Sequence, residues 1–270
     1  MTAFVYHFAF EFKTGLRNAT LLLMNYLFPL GFYAMMGLVM TQINPDFADT
    51  MIPAMVIFVA MTSNLLGLPD PLVASREAGI YRSYKINGVP ALSILSIPVL
   101  STLFHVLIVA TIISLTGAPF FGGVAPDNWG NFALLTLVTA FAFGALGALI
   151  GVVSTSSRAT VLWSQLIFLP SMLLGGLMLR LDQLPESVRA VSALLPATQA
   201  MQAFDGLAYG RTTLIDPLAS VAILLVGGIL AFGLAIYLFS WDSRNDTRRG
   251  HPLLALLALA PYVAGAILIA

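Results

Sequence analysis

Apolar residues run in long blocks separated by short polar connections, at roughly 20–40, 51–68, 92–116, 132–153, 161–179, 218–240 and 252–270. A helix that crosses the hydrocarbon of a bilayer needs about 20 predominantly apolar residues. The pattern therefore predicts seven candidate spans, the second being the shortest. Strand-like alternation over about ten residues, the mark of an outer-membrane barrel, is absent. The expected fold is an all-α polytopic membrane protein.

Two polar stretches have helical patterns of their own. Ahead of the first block, Phe4, Phe8 and Phe12 recur every four residues while His7, Glu11, Thr14 and Asn18 fall on another face. Residues 1–18 thus read as an amphipathic helix in the plane of the cytoplasmic interface, with Lys13 and Arg17 near lipid phosphates. The alternative is a cytoplasmic extension of the first span. Between the second and third blocks lies SREAGIYRSYKINGVP, where Ser75 suits an N-cap, Glu77 the positive end of a helix dipole, and Arg82 and Lys85 the negative end. Gly88 and Pro90 stop such a helix, giving an element at 75–88. On it Arg76, Ile80 and Tyr84 share one side with Glu77 and Tyr81 beside them, an aromatic and charged surface suited to docking a protein. A solvated connector whose bases only fix topology is the alternative.

The stretch from 170 to 217 is the least regular. Gly175 and Gly176 interrupt the fifth block, and LPESVRAVSALLP and ATQAMQAFDGLAYG each offer a short helix. Both are too apolar for an exposed loop and too short to span. They read as re-entrant helices at 182–210, entering from the outer side, an arrangement that requires protein or a cavity around the backbone. Leu173, Leu174, Met178 and Leu181 approach the glycine break, and Met201 and Phe204 end the second short helix. In a pair of subunits these residues would close an apolar plug on the outer side; core packing of the short helices is the other use for them. Ala140, Gly144 and Ala148 in the fourth block, beside Gly147 and Gly151, and Gly227, Ala231 and Ala235 in the sixth, have the spacing that lets helix backbones approach closely in lipid, for packing within the subunit or, as the alternative, at a dimer seam.

Composition agrees with the block pattern. The 270 residues are 59% hydrophobic and 9% charged, with a mean hydropathy of +0.93, against about 45–50% and about 25% for soluble domains. Acidic and basic residues balance at twelve each, which argues against a nucleic-acid binder and makes placement the informative quantity. With the N-terminus inside, nine of the twelve Lys and Arg fall in cytoplasmic segments and only Arg180, Arg189 and Arg211 outside, as retention of bases in the cytoplasm requires. The cluster Arg244, Arg248 and Arg249 precedes the last block, so 241–270 reads as a basic cytoplasmic loop followed by a further span. The N-terminus lacks the pattern of a cleaved signal peptide. No cysteine is present, which excludes disulfides and thiolate ligation.

The candidate chemistry is sparse. His105 is the one ionisable side chain expected deep in a span, serving either as a neutral hydrogen-bonding group between helices or as a proton relay. So few intramembrane charges disfavour an ATP-independent carrier. Neither an HExxH zinc pattern nor a Gx4GK[ST] phosphate loop occurs, so energy for uphill transport has to arrive through a contact.

In layout the chain resembles the integral membrane subunits of ABC transporters of the ABC-2 type. The resemblance rests on residues 4–18, on SREAGIYRSYKINGVP, and on SMLLGGLMLRLDQLPESVRAVSALLPATQAM, and covers about residues 4–240. It implies an interfacial helix at 1–18 and a six-span permease core at 19–240, to which 252–270 adds a seventh span. It further implies that 75–88 is a coupling helix, with Arg76, Glu77, Ile80, Tyr81, Arg82, Tyr84 and Lys85 facing a separate cytoplasmic ATP-binding subunit that holds the ATP and Mg. A second permease copy or homologue, a bacterial or archaeal cytoplasmic membrane, and export of a hydrophobic or amphipathic cargo follow from the same resemblance. No cofactor is expected in this chain itself. A membrane scaffold that docks a cytoplasmic partner without transporting anything is the competing reading.

Overall fold

Long apolar blocks become helices because a backbone in hydrocarbon must pair its polar groups within its own segment. The computed structural model describes residues 2–242 and 250–269; Arg244, Arg248, Arg249 and the side chains of Phe4 and His7 lie outside the described residues. The chain runs through α1 (Thr2–Arg17), α2 (Ala19–Ile43), α3 (Phe47–Glu77), the short α4 (Ile80–Ile86), α5 (Ala91–Phe121), α6 (Trp129–Val153) and α7 (Ser157–Leu174). It continues through two short helices, α8 (Glu186–Ser192) and α9 (Pro196–Ala203), then α10 (Pro217–Leu238) and α11 (Ala260–Ile269). Helices α2, α3, α5, α6 and α10 are each long and apolar enough to cross a membrane, and no strand occurs among the described residues.

The second block, the shortest in the sequence, belongs to one of the two longest helices. Helix α3 continues for 31 residues through Pro69, Asp70 and Pro71 to Glu77, although the apolar run ends near 68. A wider, i→i+5 bonded turn at Thr62–Gly67 precedes the two prolines and absorbs the backbone irregularity that missing N–H groups impose. Nearly all of its apolar stretch is buried, so α3 is the central post of the fold. The fifth block is shorter than its hydropathy suggests, because α7 stops at Leu174 and the chain bends through 175–180.

Glycine decides how α3 meets α6. A Cβ on Gly147 would overlap the Asn64 carbonyl oxygen, and one on Gly151 would stand 2.9 Å from Leu72 and 3.1 Å from the Pro69 carbonyl oxygen. A Cβ on Gly144 would stand 3.0 Å from Val99 and 3.1 Å from the Asn64 side-chain oxygen. The working seam is thus Gly144, Gly147 and Gly151, internal to one chain. Helix α10 packs on the other side of α6, where Gly228 faces Phe141 and Ala142.

Helix α1 does not run straight into α2. Asn18 leaves the helical conformation at φ −86°, ψ 114°, and its side chain accepts hydrogen bonds from the Thr20 and Leu21 amides, the ordinary N-cap geometry. The Phe stripe of α1 turns toward protein: Phe8 packs edge-on against Phe104 of α5 and Phe12 stacks on His105 at 4.5 Å. Tyr6 and Phe10 remain exposed on the outer side. Along α2, Tyr26 hydrogen-bonds His105 Nδ1 at 2.6 Å and Tyr33 meets Thr116 at 2.8 Å, so α2 is tied to α5 at two depths.

The tail runs back along α10. Gly250 lies by Tyr237 and Leu238, the buried Tyr262 fills the space over Gly227, and Gly265 lies by Ile223 and Gln199. Its first eight residues, Pro252–Leu259, form a 3₁₀ helix and the next ten are α11. At about 2.0 and 1.5 Å per residue this reaches about 31 Å, close to the thickness of the hydrocarbon core. Single cysteines replacing Thr2, Pro126 or Ala270 test the topology with an impermeant maleimide on intact cells. Labelling is expected at 126 and 270 only; labelling at 2, or none at 270, contradicts an inside N-terminus with seven crossings.

Candidate functional site

The stretch that the sequence predicts as one coupling helix over 75–88 is built as an elbow. Ser75 and Arg76 belong to the last turn of α3; the chain turns at Gly79, whose φ of +74° few other residues adopt, and α4 follows. Gly88, at φ +71°, and Pro90 then lead into α5.

The elbow separates the predicted contact residues into two groups. Arg76 is buried and turned inward, where its guanidinium donates to the Val152 carbonyl at 2.8 Å and to the Ser154 carbonyl. These carbonyls end α6, so the cation satisfies acceptors a helix terminus leaves open and sits at the negative end of its dipole. Tyr81 is also buried: its hydroxyl bonds Ser75, its ring packs on Phe239 at 5.3 Å, and burial raises its pKa. Tyr84 is half-buried against the core. Arg76 and Tyr81 are therefore anchors within the chain and contribute no outward face. Glu77, Ile80, Arg82 and Lys85 are exposed, and so is Ile86, at 81%. Arg82 pairs with Asp242, which ties α4 to the chain beyond α10. Sequence reasoning missed Ile86 because an isoleucine beside a span reads as membrane-facing. It missed Asp242 because a pair 160 residues apart has no local signature.

The region after α7 is similarly divided. After Leu174 the chain doubles back so that Gly176, at φ +86°, lies under Met201, and Gly175 lies against Ala197. Ser192 Oγ donates to the Leu174 carbonyl at 2.5 Å, and Gln199 bridges the Ala193 carbonyl and Ser220. Leu181, Met201 and Phe204 are buried, with Phe204 edge-on to Phe132 at 5.2 Å. Leu173 is exposed, whereas Leu174 and Met178 are half-buried. The short helices are fastened to the start of α3: Arg211 pairs with the buried Asp205 at 2.7 Å, donates to the Asp49 carbonyl at 2.7 Å, and covers the Tyr209 ring at 4.4 Å.

His105 sits where α1, α2 and α5 meet. Its Nδ1 is held by Tyr26, and its buried Nε2 has no hydrogen-bond partner. Among the described residues no cluster of His, Asp and Glu could hold a metal ion.

A bundle of membrane-length helices with a mounted elbow at one end and short folded-back helices elsewhere defines a multi-pass membrane protein. The family model described as ABC-2 type transporter matches residues 2–209, and the chain belongs to that family. It is 27% identical over 192 residues to a Bacillus subtilis (strain 168) protein named as a transport permease, YvfS, the match covering 69% of this chain and 78% of that one. No solved structure matches.

The inward role of Arg76 has a measurable consequence. Arg76→Met strips the end of α6 of its donor and should cost about 2–3 kcal/mol, while Arg82→Ala, at an exposed pair, should cost less than about 1 kcal/mol. Thermal unfolding of the purified variants compares them, and equal shifts would place Arg76 outside the packing.

Proposed function

We propose that this chain is the membrane-spanning subunit of an ATP-driven exporter, working as a pair with a second copy or a homologue and coupled to separate cytoplasmic ATP-binding subunits. The observation that carries this reading is the mounting of the elbow. An exposed tip of Glu77, Ile80, Arg82, Lys85 and Ile86 stands at the end of the most enclosed helix, with Arg76 and Tyr81 holding its base. A partner that grips the tip moves the cytoplasmic ends of α3 and α6 together, because Arg76 joins them. The wide turn at Thr62–Gly67 is where α3 yields, so the two ATPase states bias two arrangements of the spans through different contacts with one tip. Family membership supports transport, and the sequence itself carries no phosphate loop, so nucleotide is assigned to the partner. A bacterial or archaeal cytoplasmic membrane and a hydrophobic or amphipathic cargo complete the reading.

Glu77→Arg and Ile86→Asp alter the tip without touching the packed base. Each should reduce copurification with the ATP-binding subunit and cut cargo-dependent ATP turnover at least about threefold, about 0.7 kcal/mol of lost contact, with membrane insertion unchanged. Normal copurification and normal transport in both would remove the tip from coupling.

For the outer plug, Leu173, Leu174 and Met178 are the residues we assign to a seam between subunits, and Leu181, Met201 and Phe204 to its support. Alanine at Leu173 or Leu174 should raise basal leak or futile ATP turnover at normal expression. Alanine at Met201 or Phe204 should instead lower folded yield, a cost of about 2–5 kcal/mol each. If both sets change yield alone, no plug exists there.

A further inference from the structure

The tail meets the rest of the fold at two places that do different things. At Gly227 of α10 the ring of Tyr262 takes the space a side chain would fill, since a Cβ there would stand 2.7 Å from Oη. The ring is fully buried, and its hydroxyl, buried with it, has no hydrogen-bond partner among the described residues. A buried hydroxyl left unpaired works against the contact that buries it. One turn further along the tail, Gly265 lies against the side chain of Gln199, where a Cβ would stand 2.7 Å from Nε2.

Gln199 is the residue that holds the short helices together. It is fully buried, donates to the Ala193 carbonyl at the end of α8 at 2.8 Å, and accepts from Ser220 of α10 at 2.9 Å. Beside Ala193, Ser192 holds the Leu174 carbonyl at the end of α7. Pressure from the tail on Gln199 therefore reaches α8, α9 and the last turn of α7 through consecutive contacts. Helix α11 also runs beside α8, so a tail that leaves α10 uncovers both short helices at once.

The segment that carries Tyr262 to its notch has a second, shorter form. Pro252–Leu259 is eight residues of 3₁₀ helix, longer than such runs usually are, and after Pro252 it contains only Leu and Ala, which favour the α form. Rewinding these residues as α-helix shortens them by about 4 Å. That draws Tyr262 away from Gly227 and frees its hydroxyl to find a partner. We propose that residues 250–269 are a releasable strap: docked, it clamps Gln199 and holds α8 and α9 on α10; rewound, it lets them move. What the movement serves, parting of the plug residues beside Leu174, rests on the transport reading, whereas the strap itself does not.

Hydrogen–deuterium exchange of the full chain in phosphatidylcholine nanodiscs reads the opening of each helix. No ATP-binding subunit, nucleotide or cargo is present, so the strap and the transport reading fail separately. Tyr262→Phe keeps the ring and removes the unpaired hydroxyl, and exchange at 260–269 and at 196–203 should slow together by at least about fivefold. Tyr262→Ala empties the notch and should speed both together by more than about tenfold, although Gly227 is about 10 Å along α10 from Ser220. Gly233 is on the same helix with nothing packed on it, and Gly233→Ala should leave both unchanged. Three results each overturn the strap: faster exchange at 260–269 with 196–203 unchanged in Tyr262→Ala, no slowing in Tyr262→Phe, or the same slowing in Gly233→Ala.

Discussion

The approach of α3 to α6 governs the rest of the molecule. Where a helix carbonyl occupies the place of a missing Cβ, as Asn64 does at Gly147, two backbones are in contact and neither can slide without the other. Lipid offers no hydrophobic drive for helices to associate, so their adhesion comes from this close packing and from polar links. Arg76 supplies such a link at the elbow end of the same seam, joining α3 to the last carbonyls of α6. Helix α10 packs on the far face of α6 through Gly228, the tail packs on α10 through Tyr262, and the short outer helices rest on α10 through Gln199 and Ser220. Each layer takes its position from the one before.

The class of fold was legible in the sequence because hydrophobic blocks near 20 residues have few physical interpretations. The two glycine breaks, at 79 and at 175–176, were also visible as residues, but only one was read as a break. In the fifth block Gly175 and Gly176 interrupt an apolar run and are conspicuous. Gly79 sits in a polar stretch whose Ser75 and Glu77 imitate a helix start, and local capping signals cannot reveal that α3 is already helical there. The same ambiguity hid the inward turn of Arg76. A basic residue at a membrane boundary reads as exposed by default, and the acceptors that bury it, Val152 and Ser154, lie over seventy residues away in sequence.

Around the short helices the sequence singled out these residues as a group without separating their environments. Leu173 and Met201 are equally apolar, and both lie near a glycine break. The exposed position of one and the burial of the other follow from the doubling-back of 175–180, which brings Gly176 under Met201. The cavity of about 440 Å³ under the elbow, between α1, α2, α3, α4 and α5, had no signature at all. Its lining residues Asn25 and His105 come from different spans, α2 and α5, and Glu11 and Asp70 from α1 and α3.

The groove at Gly227 also has a history during synthesis. Helix α10 leaves the ribosome before the residues that cover it, so until Tyr262 arrives this face shows lipid a notch shaped for an aromatic ring. At chain growth of about 5–20 residues per second that interval is a matter of seconds. During it, a neighbouring helix with a suitable tyrosine or phenylalanine is a competitor for the notch, and the proximity of the tail in the chain, rather than its affinity, is what lets it arrive first.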